Sequence, residues 1–106
     1  MEIIEECMKM TSFGGHAKSL ALKAIQYARE GDMTRAGQTM DEAEEYLQKS
    51  HVAHTNLLSI DAEVNEDGQN AMPVSFFMVH AADHLSSADT IIVLVKELLY
   101  IYGKEE

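Results

Sequence analysis

The sequence has no tryptophan, one proline and one cysteine, and its 106 residues carry 8 basic against 18 acidic side chains. Each shortage closes off a class of protein. A lone cysteine, Cys7, excludes an intrachain disulfide and any multi-cysteine metal site; a small buried apolar residue is expected there. A formal charge of −10 argues against nucleic acid and anionic lipid surfaces, both of which select Lys/Arg-rich faces. No apolar run is long enough to span a bilayer, so no direct membrane insertion is expected. The amino terminus, Met1-Glu2-Ile3-Ile4-Glu5-Glu6, is acidic rather than basic, which speaks against a secretory leader and for a cytoplasmic location.

What is present points to helices. Few aromatics, a single proline and abundant Ala, Leu, Met, Glu and Lys suit an all-α fold. The chain length suits one domain covering residues 1–106. A first helix is expected over about residues 2–30. Ile3, Cys7, Met10, Gly14, Ala17, Ala21, Ala24 and Ala28 recur at alternating spacings of four and three, a narrow packing seam. Gly14-Gly15 predicts a bend or break within it. Gly31 suits the left-handed position that closes a helix and Asp32 the N-cap of the next, so an antiparallel hairpin follows.

The second helix is expected over about residues 33–64. Ala36, Met40, Ala43, Leu47, His51, His54 and Leu58 fall on one side, and Asp41, Glu42, Glu44 and Glu45 mostly face water. Taken alone, an inward histidine such as His51 or His54 reads as a hydrogen-bonded core residue. The polar stretch from Asn65 to Pro73, with its Asp67-Gly68 turn signal, predicts a loop. Pro73 suits the first turn of a third helix over about residues 73–102, with Gly103 terminating it. The whole then reads as an antiparallel three-helix bundle, spectrin-repeat-like and up-down-up.

The third helix is apolar over about half its circumference at about 100° per residue. One row holds Val74, Phe77, Ala81, Leu85, Ala88, Ile92, Val95, Leu99 and Tyr102, enough to pack the bundle. A second row holds Phe76, His80, Asp83/His84, Ser87, Ile91, Leu94, Leu98 and Ile101. That row needs another partner, and self-association is the economical answer.

His80, Asp83 and His84 stand at i, i+3 and i+4, so all three project from one side of the helix. Such a cluster supports a metal site, with two histidines and a carboxylate sharing an ion, although Ala81 stands where a zinc protease needs glutamate. It supports nucleophilic chemistry, in which a neutral imidazole accepts a phosphoryl group. It also supports a purely structural role in buried hydrogen bonds. Spacing alone leaves the three open.

The stretch Val79-His80-Ala81-Ala82-Asp83-His84-Leu85 resembles the V-H-A-Q-D-H-L-M signature of the lactose/cellobiose-specific enzyme IIA family of the bacterial sugar phosphotransferase system. His16-Ala17-Lys18-Ser19-Leu20-Ala21 resembles that family's first-helix segment. Ala28-Arg29-Glu30-Gly31-Asp32 is similar to its hairpin turn. Ser50-His51-Val52-Ala53-His54-Thr55-Asn56-Leu57-Leu58 resembles its A-H-x-x-Q-T-x-L stretch. The resemblance runs over nearly the whole chain, in order and with matching breaks.

The resemblance implies a homotrimer of three-helix bundles. It implies that His80 takes a phosphoryl group from HPr and passes it to a cysteine of enzyme IIB during uptake of a lactose-, cellobiose- or chitobiose-type sugar. It implies that Asp83 lies at the trimer axis, where three carboxylates hold one divalent cation, Mg2+ being the expected ion. His84, one turn from His80, is then a supporting hydrogen-bond donor to the phosphoryl oxygens or a packing residue beneath the site. Ala82 stands in place of the family's glutamine, Ser86 in place of its methionine and His54 in place of the second-helix glutamine. The alternatives are a diverged non-catalytic or regulatory helical trimer, and a metal-binding helical protein using His80, Asp83 and His84.

Overall fold

The hairpin at Gly31-Asp32 forms as its residue types require. Gly31 has φ of 84°, a backbone conformation open to glycine without steric cost. Its N–H donates to the Ala28 carbonyl at 3.0 Å and the Asp32 N–H to the Tyr27 carbonyl at 2.9 Å, the paired closure of a Schellman motif. Asp32 Oδ1 then accepts from the Arg35 N–H at 3.0 Å, an N-cap contact made three residues on. One helix ends and the next begins within three residues.

The computed structural model describes residues 3–66 and 75–104. They form three helices, α1 (Ile3–Arg29), α2 (Met33–Glu66) and α3 (Phe76–Lys104). Cross-helix contacts fix their directions. Glu6 meets Asn56 and Met10 meets Ser50, so α1 and α2 run antiparallel. Gly14 lies against His84, and Lys18 reaches both His84 and Ser87, so α1 and α3 run parallel. The up-down-up bundle is an elongated rod of 58 × 19 × 18 Å.

The seam predicted for α1 is the buried seam: Cys7, Met10, Gly14, Ala17, Ala21, Ala24 and Ala28 are all buried. The core it builds has two parts. One packs Ala17, Ala21 and Ala24 against Met40, Ala43, Ile92 and Val95. The other packs Cys7 and Met10 against Ala53, Leu57, Ala81 and Leu85. Cys7 is fully buried, and burial pushes its thiol above the ordinary range, as expected of an inert packing residue.

Several sequence expectations are corrected. Helix α1 runs unbroken through Gly14-Gly15, because Gly14 serves a close helix crossing rather than a bend. A Cβ on Gly14 would stand 3.2 Å from the His84 carbonyl oxygen. In α2 Ala36, Met40 and Ala43 are buried as expected, but the seam continues through Ser50, Ala53 and Leu57, so that Ala36, Ala43, Ser50 and Leu57 follow one another at seven-residue steps. Leu58, placed inward by the sequence, is 57% exposed. A left-handed wrap keeps a 3.5-residue seam facing its partners, and a straight 3.6-residue helix drifts off it. Asn65 and Glu66 extend α2 two residues past Val64, into the stretch read as a loop; residues 67–73 of that stretch lie outside the described residues.

The start of α3 also differs. Ser75 is not helical, and its Oγ accepts from the Met78 N–H at 3.1 Å, so the serine caps the helix. The expected start at Pro73, with Val74, lies outside the described residues. Gly103 is helical and α3 ends at Lys104.

On α3 the first row behaves as expected: Ala81, Leu85, Ala88, Ile92 and Val95 are buried. Leu99 and Tyr102 are half-buried, and Phe77 is 38% exposed. Of the second row His84, Ser87 and Ile91 are half-buried, and the rest stays open. Phe76 is 87% exposed and Leu94, Leu98 and Ile101 are all exposed.

Candidate functional site

The three candidate residues occupy the second and third turns of α3, on the open side of the bundle. His80 and Asp83 are exposed and His84 is half-buried. The His80 and His84 rings meet edge to face with centroids 4.6 Å apart. One helical turn separates them, so the contact follows directly from i, i+4 spacing. Among the described residues no side chain hydrogen-bonds to His80, and Asp83 forms no salt bridge.

His84 is held from the other helix. Lys18 Nζ lies 3.1 Å from His84 Nδ1 and donates to Ser87 Oγ at 3.0 Å. Ser87 Oγ in turn donates to the His84 carbonyl at 3.2 Å. An ammonium has donors and no acceptor, so His84 Nδ1 accepts and the ring's proton sits on Nε2. Burial holds the His84 imidazole below the ordinary histidine range. The positive charge of Lys18 and the neighbouring His80 push the same way, against the Asp83 carboxylate.

The crossing of α1 and α3 makes this contact possible. Gly14, one turn before Lys18 on α1, lets the two backbones close up at the His84 carbonyl. Lys18 then reaches from the same face. Sequence reasoning missed this role for Lys18 and Ser87. Lys18 lies in the first-helix segment that carries the resemblance, but 66 residues separate it from His84 and no periodicity links them.

The structure does not bring His80, Asp83 and His84 together as a ligand set. Among the described residues no group of three or more His, Cys, Asp or Glu side chains is placed to hold a metal ion. The nitrogen of His84 that faces α1 is occupied by an ammonium, which a cation would have to displace. A metal-binding role for this trio within one chain is therefore not supported.

The remaining histidines lie elsewhere. His51 Nε2 is 2.7 Å from Asp89 Oδ1, which ties α2 to α3 by the expected hydrogen bond, although the His51 side chain is 41% exposed and not a core residue. His16 stacks on Tyr46 at 4.0 Å. His54 lines a cleft of about 270 Å³ with Met10, Leu57, Leu58, Asp61, Met78 and Ala82. Ala82 and His54 thus share a cleft whose lining does not include His80.

Helix α3 thus presents His80 on a largely open face, with the half-buried His84 behind it. The chain belongs to the lactose/cellobiose-specific IIA family of the phosphotransferase system: residues 5–103 match the family described as "PTS system, Lactose/Cellobiose specific IIA subunit". It is 34% identical over 103 residues to the N,N'-diacetylchitobiose-specific EIIA component of Escherichia coli (strain K12), covering 97% of this chain and 84% of that protein. The crystal structure of a cellobiose-specific enzyme IIA from Bacillus anthracis superposes with a TM-score of 0.84 at 28% identity, over 98% of this chain and 91% of the other. A IIA(Chitobiose) chain, solved in solution as a complex with HPr, gives a TM-score of 0.80 at 31% identity, over 98% and 96%. No helix among the described residues is long and apolar enough to cross a membrane.

Proposed function

We propose that this chain is a phosphoryl carrier that accepts a phosphoryl group on His80 from phospho-HPr and yields it to a cysteine of a cognate enzyme IIB. The observation that carries this reading is the exposure of His80 within a chain of the IIA family. A phosphorylated partner protein can only reach an imidazole that stands on the surface. The structure of a similar IIA chain in complex with HPr supports the same donor here. The reading carries a cytoplasmic location and uptake of a cellobiose-, chitobiose- or lactose-type sugar with it.

Phosphoryl transfer asks little covalent work of the protein beyond positioning and charge stabilisation. A lone pair on the neutral His80 ring attacks phosphorus, and the bond from phosphorus to its donor atom on HPr breaks. The reverse exchange moves the group from His80 to a thiolate. His80 stands in the second turn of α3, where the helix dipole gives only weak help. Positive charge at the site comes instead from Lys18, held beside His84.

Assembly as a homotrimer belongs to the same reading. The exposed row of Phe76, Leu94, Leu98 and Ile101 is the surface that two further copies would cover. Asp83 shares that face and has no ion-pair partner among the described residues, so a threefold axis there would bring three carboxylates together. Three like charges repel unless a hard cation or protons intervene, and carboxylate oxygens with water suit Mg2+. The cation would be held by Asp83 of each chain and would neutralise charge in assembly.

The test is phosphorylation with phosphoenolpyruvate, enzyme I and HPr, followed by peptide mapping. One acid-labile phosphoryl group per chain on His80 is the expected result. A wild type that takes none, or a phosphate mapped elsewhere, overturns the reading. For the axis, light scattering should give a trimer mass, and Asp83→Leu should trimerise even with chelator present. A stable monomer at micromolar concentration contradicts it.

A further inference from the structure

Lys18 reaches across from α1 with two hydrogen-bond partners on α3, His84 Nδ1 and Ser87 Oγ. Ser87 is itself anchored to the His84 carbonyl, and Gly14 holds the two backbones close at that same carbonyl. Three groups, Lys18, Ser87 and Gly14, thus converge on one residue, and that residue is the ring against which His80 packs.

A neutral imidazole has two tautomers, and which nitrogen carries the proton is set by the hydrogen bond made at the other. With an ammonium at Nδ1, only the Nε2–H form fits. A ring free to exchange tautomers would offer a donor for part of the time and an acceptor for the rest. An acceptor nitrogen beside an incoming dianion is repulsive. Lys18 removes that alternative.

We propose that Lys18 is a positioning residue for phosphoryl transfer, fixing His84 as the Nε2–H tautomer so that it donates to a phosphoryl oxygen carried on His80. The proposal rests on the carrier reading above for its last step. Its first step, the tautomer, stands on geometry alone and is measured separately. Ser87 sets where the ammonium sits, and Gly14 sets how far it must reach.

The experiment uses full-length protein with 15N-labelled histidine at about pH 8, where ordinary imidazoles are neutral. In the wild type, two-bond proton–nitrogen correlations should show His84 with an unprotonated Nδ1 and a protonated Nε2. Lys18→Met should give averaged shifts for the two nitrogens and slow transfer from phospho-HPr by about tenfold or more, the scale expected when a supporting group is lost. Lys18→Arg, which keeps a charged donor, should restore both the shifts and most of the rate. Ser87→Ala should weaken both in parallel, and serves if Lys18→Met folds poorly by circular dichroism. A Lys18→Met protein with wild-type rate overturns the proposal. So does a slow variant whose His84 tautomer is unchanged. If the wild type itself never accepts phosphate, the carrier reading and with it the donation step fail, while the tautomer measurement still decides whether Lys18 sets the ring.

Discussion

The apolar residues in the two rows of α3 are of the same kind and meet opposite fates. Ala81, Leu85, Ala88, Ile92 and Val95 are buried against α1 and α2, whereas Phe76, Leu94, Leu98 and Ile101 face outward. Both rows are apolar, so hydrophobicity alone does not assign them. What differs is the partner: the first row meets small residues on α1 that allow close approach, whereas Phe76, Leu94, Leu98 and Ile101 of the second stay exposed in their own chain. The lesson is that the first row closes this chain's own core while the second faces outward, and His80 stands on the second.

The sharpest separation comes from His80→Gln. Acid-labile phosphate from phospho-HPr should fall to background, while the urea midpoint stays near wild type because an exposed polar side chain contributes little. Ile92→Ala is the converse. It removes most of a side chain that is 3% exposed and should cost about 2–5 kcal/mol in urea unfolding. Residual folded protein should keep accepting phosphate.

A third variant attacks the open row. Leu98→Asp places a charge on a face that is 42% exposed in the single chain. It should lower the mass in light scattering to that of a monomer while helical circular dichroism is kept. If a trimer persists, the second row is not the assembly surface and the contrast between the rows breaks.

Acid should act through the packed side. Glu6 is 1% exposed and accepts from Asn56 at 2.8 Å and Lys9 at 3.1 Å. The Asn56 bond first, and then Lys9, hold its carboxyl below the ordinary value of 4.5, against the opposing effect of burial. A carboxyl lowered in the folded state contributes stability that is present above the unfolded value. That stability is lost as pH falls below 4.5 and through the folded value. Thermal unfolding across that window should be steeper in pH for wild type than for Glu6→Gln. Ser75→Ala, which removes the cap shared by both rows, should have the smallest effect, about 1 kcal/mol.

Much of this architecture was legible from residue order. The Gly31-Asp32 turn is a local event, settled by one left-handed glycine and one capping carboxylate, and it formed as read. The α1 seam was legible because eight small or apolar residues keep a heptad spacing over seven turns. The α2 seam drifted in the reading because His51, His54 and Leu58 fit a straight helix, and only the wrap of the bundle selects Ser50, Ala53 and Leu57 instead. The Gly14-Gly15 bend failed for a related reason. A glycine weakens a helix in isolation, but here the neighbouring α3 backbone occupies the space a Cβ would take.

The sequence by itself determined three helices, their antiparallel order, the open second row and the cluster of His80, Asp83 and His84. These follow from period, turn chemistry and local spacing, which act over a few residues. Only the tertiary structure decided that His80 is exposed, that His84 is tied through Nδ1, and that Lys18 does the tying. Those facts depend on how closely two backbones cross, and that distance is set by the packing of all three helices together.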